Sequence, residues 1–121
     1  MAEPTPVGLI GPSTALVNSR PGLRFTLADG RPAFAIRYRN RVYAYLNACA
    51  HVPVELDLVE GDLFDLSGQY LVCAMHGAYY HPESGVCLGG PCPGRRLTSI
   101  AIEEHDGQLW LAGTYTGTTP P

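Results

Sequence analysis

The sequence predicts an all-β fold, a small antiparallel β-sandwich or barrel, and three observations lead there. Apolar and polar residues alternate in short runs, as strands with one buried face require. Turns rich in Gly, Pro and Asp punctuate those runs at close intervals. No helical period persists beyond two turns anywhere in the 121 residues.

The elements follow in order. Residues 1–13 are broken by Pro and Gly and read as an N-terminal tail, while 114–121 are polar and close on two prolines. One domain over 14–113 remains, below the size at which chains split. Residues 23–27 alternate, and Asp29-Gly30 supplies a turn. Residues 33–38 follow, then a short connection over 39–41, then 42–46, which makes a three-stranded antiparallel meander. After an acidic stretch, Ser67-Gly68 turns into a short strand over 69–72. Residues 77–81 form another strand, 82–85 its turn and 86–88 its return. The segment 89–94, holding Pro91 and Pro93, suits no regular structure. A closing hairpin runs through 97–104 and 108–112 around Asp106-Gly107.

Composition narrows the function classes. The formal charge of −3 gives no nucleic-acid signal. Every basic side chain is Arg, and six of the eight (Arg20, Arg24, Arg31, Arg37, Arg39, Arg41) precede residue 49. Five of the eleven acids (Glu55, Asp57, Glu60, Asp62, Asp65) fall between residues 51 and 73. The start has no basic segment followed by an apolar one, as a secretory signal would need. No run approaches the roughly 20 apolar residues of a membrane span. The expectation is a cytoplasmic chain without membrane contact, whose thiols stay reduced unless they bind metal or do redox work.

Two mixed pairs stand out: Cys49-x-His51 and Cys73-x-x-His76, separated by 21 residues. Thiolate and neutral imidazole are good ligands for iron–sulfur centres and equally for a structural Zn²⁺ on a β scaffold. Each pair sits at a strand end, so the four side chains arrive on two separate loops carried by the scaffold.

Cys49-Ala50-His51 with Cys73-Ala74-Met75-His76-Gly77 resembles the ligand pattern of Rieske iron–sulfur domains. The likeness extends to the strand over 42–46 before the first loop and to Ser84-Gly85 after the second. It also takes in the 90–94 proline loop and the closing hairpin, about 100 residues in all. Within that family the chain is most similar to the small soluble ferredoxins of ring-hydroxylating oxygenase systems. The resemblance implies a cluster-binding subdomain of two loops and one [2Fe–2S] cluster per chain. Cys49 and Cys73 would bind one iron, and His51 and His76 the other. Replacing two thiolates by neutral imidazoles raises the potential into a span of about −150 to +300 mV, against about −400 mV for plant-type ferredoxins.

The implied function is one-electron transport from a flavin-containing reductase to a terminal oxygenase or similar acceptor, with no catalysis by the carrier itself. The alternative is a small Rieske-type subunit of a larger reductase such as assimilatory nitrite reductase. A structural Zn²⁺ domain is the reading from another class.

The sequence departs from the family pattern in places. Ala74 stands where Pro is common after the second Cys, Pro53 replaces a Gly, and 55–65 read as an extra loop. High-potential members place Ser and Tyr two and four residues after the second His as donors to sulfur; here those positions are Ala78 and Tyr80. One donor fewer implies an intermediate-to-low potential within the Rieske span. No Cys occupies the positions of the disulfide that ties the loops in respiratory members. Cys87 and Cys92 read as reduced thiols, with a local disulfide or redox role as the alternative. Tyr79, His81 and His105 read as scaffold, as do Phe34, Tyr38, Tyr43 and Tyr45. The acidic run reads as a solvated loop placed to serve as a docking rim for a basic partner.

Overall fold

The computed structural model describes residues 8–27, 29–50, 54–75, 77–90 and 94–112. Within them ten strands, numbered along the chain, form three antiparallel sheets. β2 (Leu23–Thr26), β3 (Pro32–Tyr38), β4 (Arg41–Leu46) and β8 (Ser99–Ile100) make a central sheet in the order β2-β3-β4-β8. β1 (Leu9–Pro12), β9 (Ile102–His105) and β10 (Gln108–Leu111) make a second, ordered β1-β10-β9. β5 (Leu71–Val72), β6 (Tyr79–Tyr80) and β7 (Cys87–Gly89) make the third, in chain order. The all-β expectation and its central meander hold.

β3 explains the layering. Alternate residues of a strand point to opposite faces, and β3 is buried on both. Its small residues Ala33 and Ala35 join Ala44, Ile100, Leu109, Leu16 and Leu27 in one core, packed against the second sheet. Its large residues Phe34 and Ile36 join Tyr45, Leu56, Leu63, Leu71, Tyr80 and Leu97 in another, packed against the third sheet. The central sheet is thus a partition between two apolar cores. Phe34 and Tyr45 are cross-strand partners whose rings pack tilted at 5.8 Å. Each fully buried large side chain contributes about 1.5–3 kcal/mol.

The β3–β4 turn uses Arg39 and Asn40, both with positive φ (50° and 67°), where Asn-Gly is the usual choice. Local contacts offset that strain. The Arg39 guanidinium lies 5.3 Å from the Tyr38 ring centroid, and the Asn40 N–H donates to Asn18 at 2.8 Å.

Two elements differ from the sequence reading. Residues 9–12, grouped with the N-terminal tail on their Pro and Gly content, form β1 on β10, with Gly11 opposite Leu109 and Pro12 opposite Gln108. Pro12 fits because it closes an edge strand, where its missing N–H costs no ladder bond. The long strand expected over 97–104 breaks at Ala101, so that β8 pairs with β4 and β9 with β10.

Candidate metal centre

The first loop leaves β4 through Asn47, a buried polar residue at 2 % exposure. Its N–H donates to Pro32 O at 2.9 Å, its side-chain oxygen accepts from Leu56 N–H at 2.8 Å, and its side-chain nitrogen donates to Asp57 at 2.8 Å. Asp57 also accepts from Gly61 N–H at 2.8 Å and lies 3.5 Å from Arg24 Nε. Arg24 pairs with Glu55 as well. This network pins the loop's two ends to each other and to β2. A further bond, Cys49 N–H to Val54 O at 2.8 Å, closes the loop.

The second loop springs from β5 and returns into β6. Cys73 N–H donates to Ala78 O and Gly77 N–H to Cys73 O, both at 2.8 Å, which makes a tight turn around the loop. The loops are sewn together where Ala74 N–H donates to Leu56 O at 2.9 Å. Gly90 packs against the end of the second loop. Gly90 has φ +91°, and a Cβ there would lie 2.7 Å from Ala78 Cα, so only glycine allows this approach.

Cys49 (4 % exposed) and Cys73 (fully buried) enter the same apolar core. The Tyr80 hydroxyl lies 3.2 Å from Cys49 Sγ and accepts from Ala50 N–H at 3.0 Å. The Tyr80 hydroxyl and the Cys49 sulfur share this hydrogen bond, with the hydroxyl as donor wherever the sulfur is a thiolate. A sulfur that receives a hydrogen bond is best suited to thiolate character, and a thiolate buried among Leu56, Leu63 and Leu71 needs a cationic partner. The donor chemistry fits a metal centre. Of the predicted ligand set, Cys49 and Cys73 are brought together; His51 and His76 lie outside the described residues, as do Pro53 and Cys92.

The family model of the Rieske [2Fe-2S] domain matches residues 3–108. The chain belongs to the Rieske [2Fe-2S] domain family. Its cofactor is a [2Fe–2S] cluster, and the protein belongs among electron-transport components. Among solved structures, the Sphingomonas yanoikuyae B1 ferredoxin is 14 % identical with a TM-score of 0.71, covering 91 % of this chain and all (100 %) of that one. The ferredoxin of carbazole 1,9a-dioxygenase from Nocardioides aromaticivorans IC177 is 21 % identical with a TM-score of 0.69, covering 92 % and 100 %. A complex of reduced oxygenase and oxidised ferredoxin in carbazole 1,9a-dioxygenase matches at 20 % identity and TM-score 0.70, covering 87 % and 91 %. These likenesses show the shared fold. No curated protein sequence matches the chain. Among the described residues no helix is long and apolar enough to cross a membrane.

Other side chains of this Rieske domain settle into place. Ala78 is fully buried beside the second loop and carries no donor. Tyr45, at the heart of the core, donates to Pro82 O at 2.7 Å, and burial holds its phenol well above the ordinary range. His81 Nδ1 accepts from Glu83 N–H at 3.1 Å, capping the turn after β6. His105 stacks on Trp110 at 5.5 Å in the closing hairpin. Cys87 is buried, and its thiol donates to Gly89 O at 3.1 Å. The acidic run is less solvated than its composition suggests, since Leu56, Asp57 and Leu63 turn inward and only Leu58, Val59, Glu60 and Asp62 remain at the surface of 56–63 with buried Gly61 between them. Asn47, Asp57 and Arg24 are the residues that sequence reasoning missed. Their only prior signal was the Asn at a strand end, an ordinary turn residue.

Proposed function

We propose that the protein is a one-electron carrier that takes electrons from a flavin-containing reductase and passes them to a terminal oxygenase or similar acceptor in the cytoplasm. Cys49 and Cys73 ligate one iron of the cluster, and His51 and His76 the other. The observation that carries this reading is the convergence of Cys49 and Cys73 in one buried core with the Tyr80 hydroxyl on Cys49 sulfur. The cluster, when bound, supplies the one-electron couple. The chain's own residues do the rest: they bury the thiolates, donate hydrogen bonds to sulfur and hold the loops at fixed spacing. His51 and His76, as neutral imidazole ligands, would let electron transfer couple to imidazole protonation. The carbazole dioxygenase ferredoxin that pairs with an oxygenase supports an oxygenase as the acceptor here.

The test is the visible spectrum of protein purified anaerobically. A red-brown protein with iron and sulfide at about two each per chain, bleached by dithionite and competent to reduce an oxygenase, is the expected result. A colourless protein holding one equivalent of zinc would sink the proposal. Cys49→Ser and His76→Ala should each abolish or strongly blue-shift the visible bands, and a normal spectrum in either variant removes that residue from the ligand set.

A further inference from the structure

The outer face of the third sheet carries a groove that the cluster site does not use. It is lined by Asp65, Tyr70, Val72 and Tyr79 and has a volume of about 290 Å³. Tyr79 is 40 % exposed, and its ring meets that of Tyr70 edge-on, with centroids 5.5 Å apart at 66°. The Tyr79 ring lies so close over the backbone of Gly89 that a Cβ there would sit 2.4 Å from Cζ and Oη. That contact holds the ring in place. The opposite wall is also rigid. Asp65 N–H donates to Tyr70 O at 2.9 Å, Val72 N–H donates to Leu63 O at 2.9 Å, and Phe64 bridges Leu71.

Asp65 Oδ1 accepts from the Ser67 hydroxyl at 2.8 Å and from Tyr70 N–H at 3.4 Å. Its Oδ2 makes no hydrogen bond among the described residues, and no arginine among them pairs with it. Two aromatic rings and a half-committed carboxylate around one groove are the elements of a cation receptor. A planar guanidinium suits them better than an ammonium, because it stacks on one ring while donating in-plane to a carboxylate. Val72 precedes Cys73 in the chain, so a partner seated here would reach the cluster loops. We propose that this groove receives an arginine side chain of the redox partner, anchoring the electron-transfer complex. The proposal deepens the carrier reading and rests on it; the charge complementarity of Asp65 selects the occupant.

The probe is N-acetyl-arginine amide, set against its uncharged analogue N-acetyl-citrulline amide. Each is titrated into oxidised, cluster-loaded protein containing 3-fluorotyrosine, with the Tyr70 and Tyr79 fluorine signals assigned by Tyr→Phe variants. Saturable shifts at those two signals with the arginine compound, and binding about fivefold or more weaker with the citrulline compound, are expected. Asp65→Asn, which keeps the side-chain shape, should weaken arginine binding by a similar factor, and Tyr79→Leu should abolish it. The visible cluster spectrum verifies folding in each variant. Equal binding of the two probes, or wild-type binding by Asp65→Asn, overturns the inference. A cluster-loaded protein that ignores arginine defeats the groove proposal alone, whereas a protein lacking the cluster defeats the carrier reading whatever the titration shows.

Discussion

Tyr80 gathers two partners on one oxygen, the Ala50 amide and the Cys49 sulfur. A hydrogen bond to a cysteine sulfur stabilises the more negative, reduced state and so raises the potential. If the bond is about 1 kcal/mol stronger in the reduced state, Tyr80→Phe lowers the midpoint by about 40 mV for a one-electron couple. Protein-film voltammetry measures this, and an unchanged midpoint would remove Tyr80 from the tuning set. Ala78 offers no hydroxyl for a second such bond, so the expected midpoint lies in the intermediate-to-low part of the Rieske span. Tyr80 was legible in the sequence because its offset from His76 is fixed along one chain. The contact between its hydroxyl and the Ala50 amide was not, since it joins loops 30 residues apart with no local period to betray it.

At the scale of elements, the first ligand loop is held by its polar base as much as by its apolar contacts. Asn47 satisfies Leu56 N–H and Asp57 together. Removing it leaves a buried amide and a buried carboxylate oxygen each short of a partner, at about 1–3 kcal/mol apiece. Asn47→Ala should therefore cost about 2–4 kcal/mol in denaturant unfolding of the cluster-loaded protein, and a loss under about 0.5 kcal/mol would show that water replaces the amide. The strands of the meander were legible because residues 23–27 alternate apolar and polar and Asp29-Gly30 marks the turn into the apolar run over 33–36. β1 was not, because a four-residue edge strand containing Gly11 and Pro12 has no propensity of its own. It exists through pairing with β10, about a hundred residues on. The Asn47–Asp57 network hid for a related reason: an acid within an acidic stretch reads as solvated until the fold turns it inward.

For the molecule as a whole, charge and layering act together. Arg37 clasps Glu104 through two contacts, the shorter 2.6 Å, and donates to Leu16 O at 2.9 Å, which joins the central sheet to the second one. That hydrogen bond holds the Glu104 carboxyl below its ordinary value, against a smaller opposing effect of burial. A depressed carboxyl contributes stability above its unfolded value and loses it as pH falls through the folded one. Glu104→Gln should thus cost under about 1 kcal/mol at neutral pH, the pair being partly solvated. Its stability should also fall less than wild type's between about pH 5 and pH 3; parallel acid limbs in thermal melts would contradict this. At the cluster end, Arg24 draws on Glu55 and Asp57, which leaves Glu60 and Asp62 exposed for a basic partner. Neutralising both should slow electron transfer with the cognate redox partner severalfold at low salt and little at high salt. Equal rates at low salt would show that this rim takes no part in docking.

The partition made by β3 and β4 has a dynamic consequence. One core contains Cys49 and Cys73 and the other contains neither, so losing iron need not dissolve the whole protein. The half built from the central and second sheets has the makings of a separate foldon. In native-state hydrogen exchange, amides of β3 and β4 should outlast all others and keep most of their protection in the apo form, while those of β5 and β6 open early. The molecule would then survive oxidative loss of its cluster as a half-folded platform, ready to be rebuilt around fresh iron and sulfide.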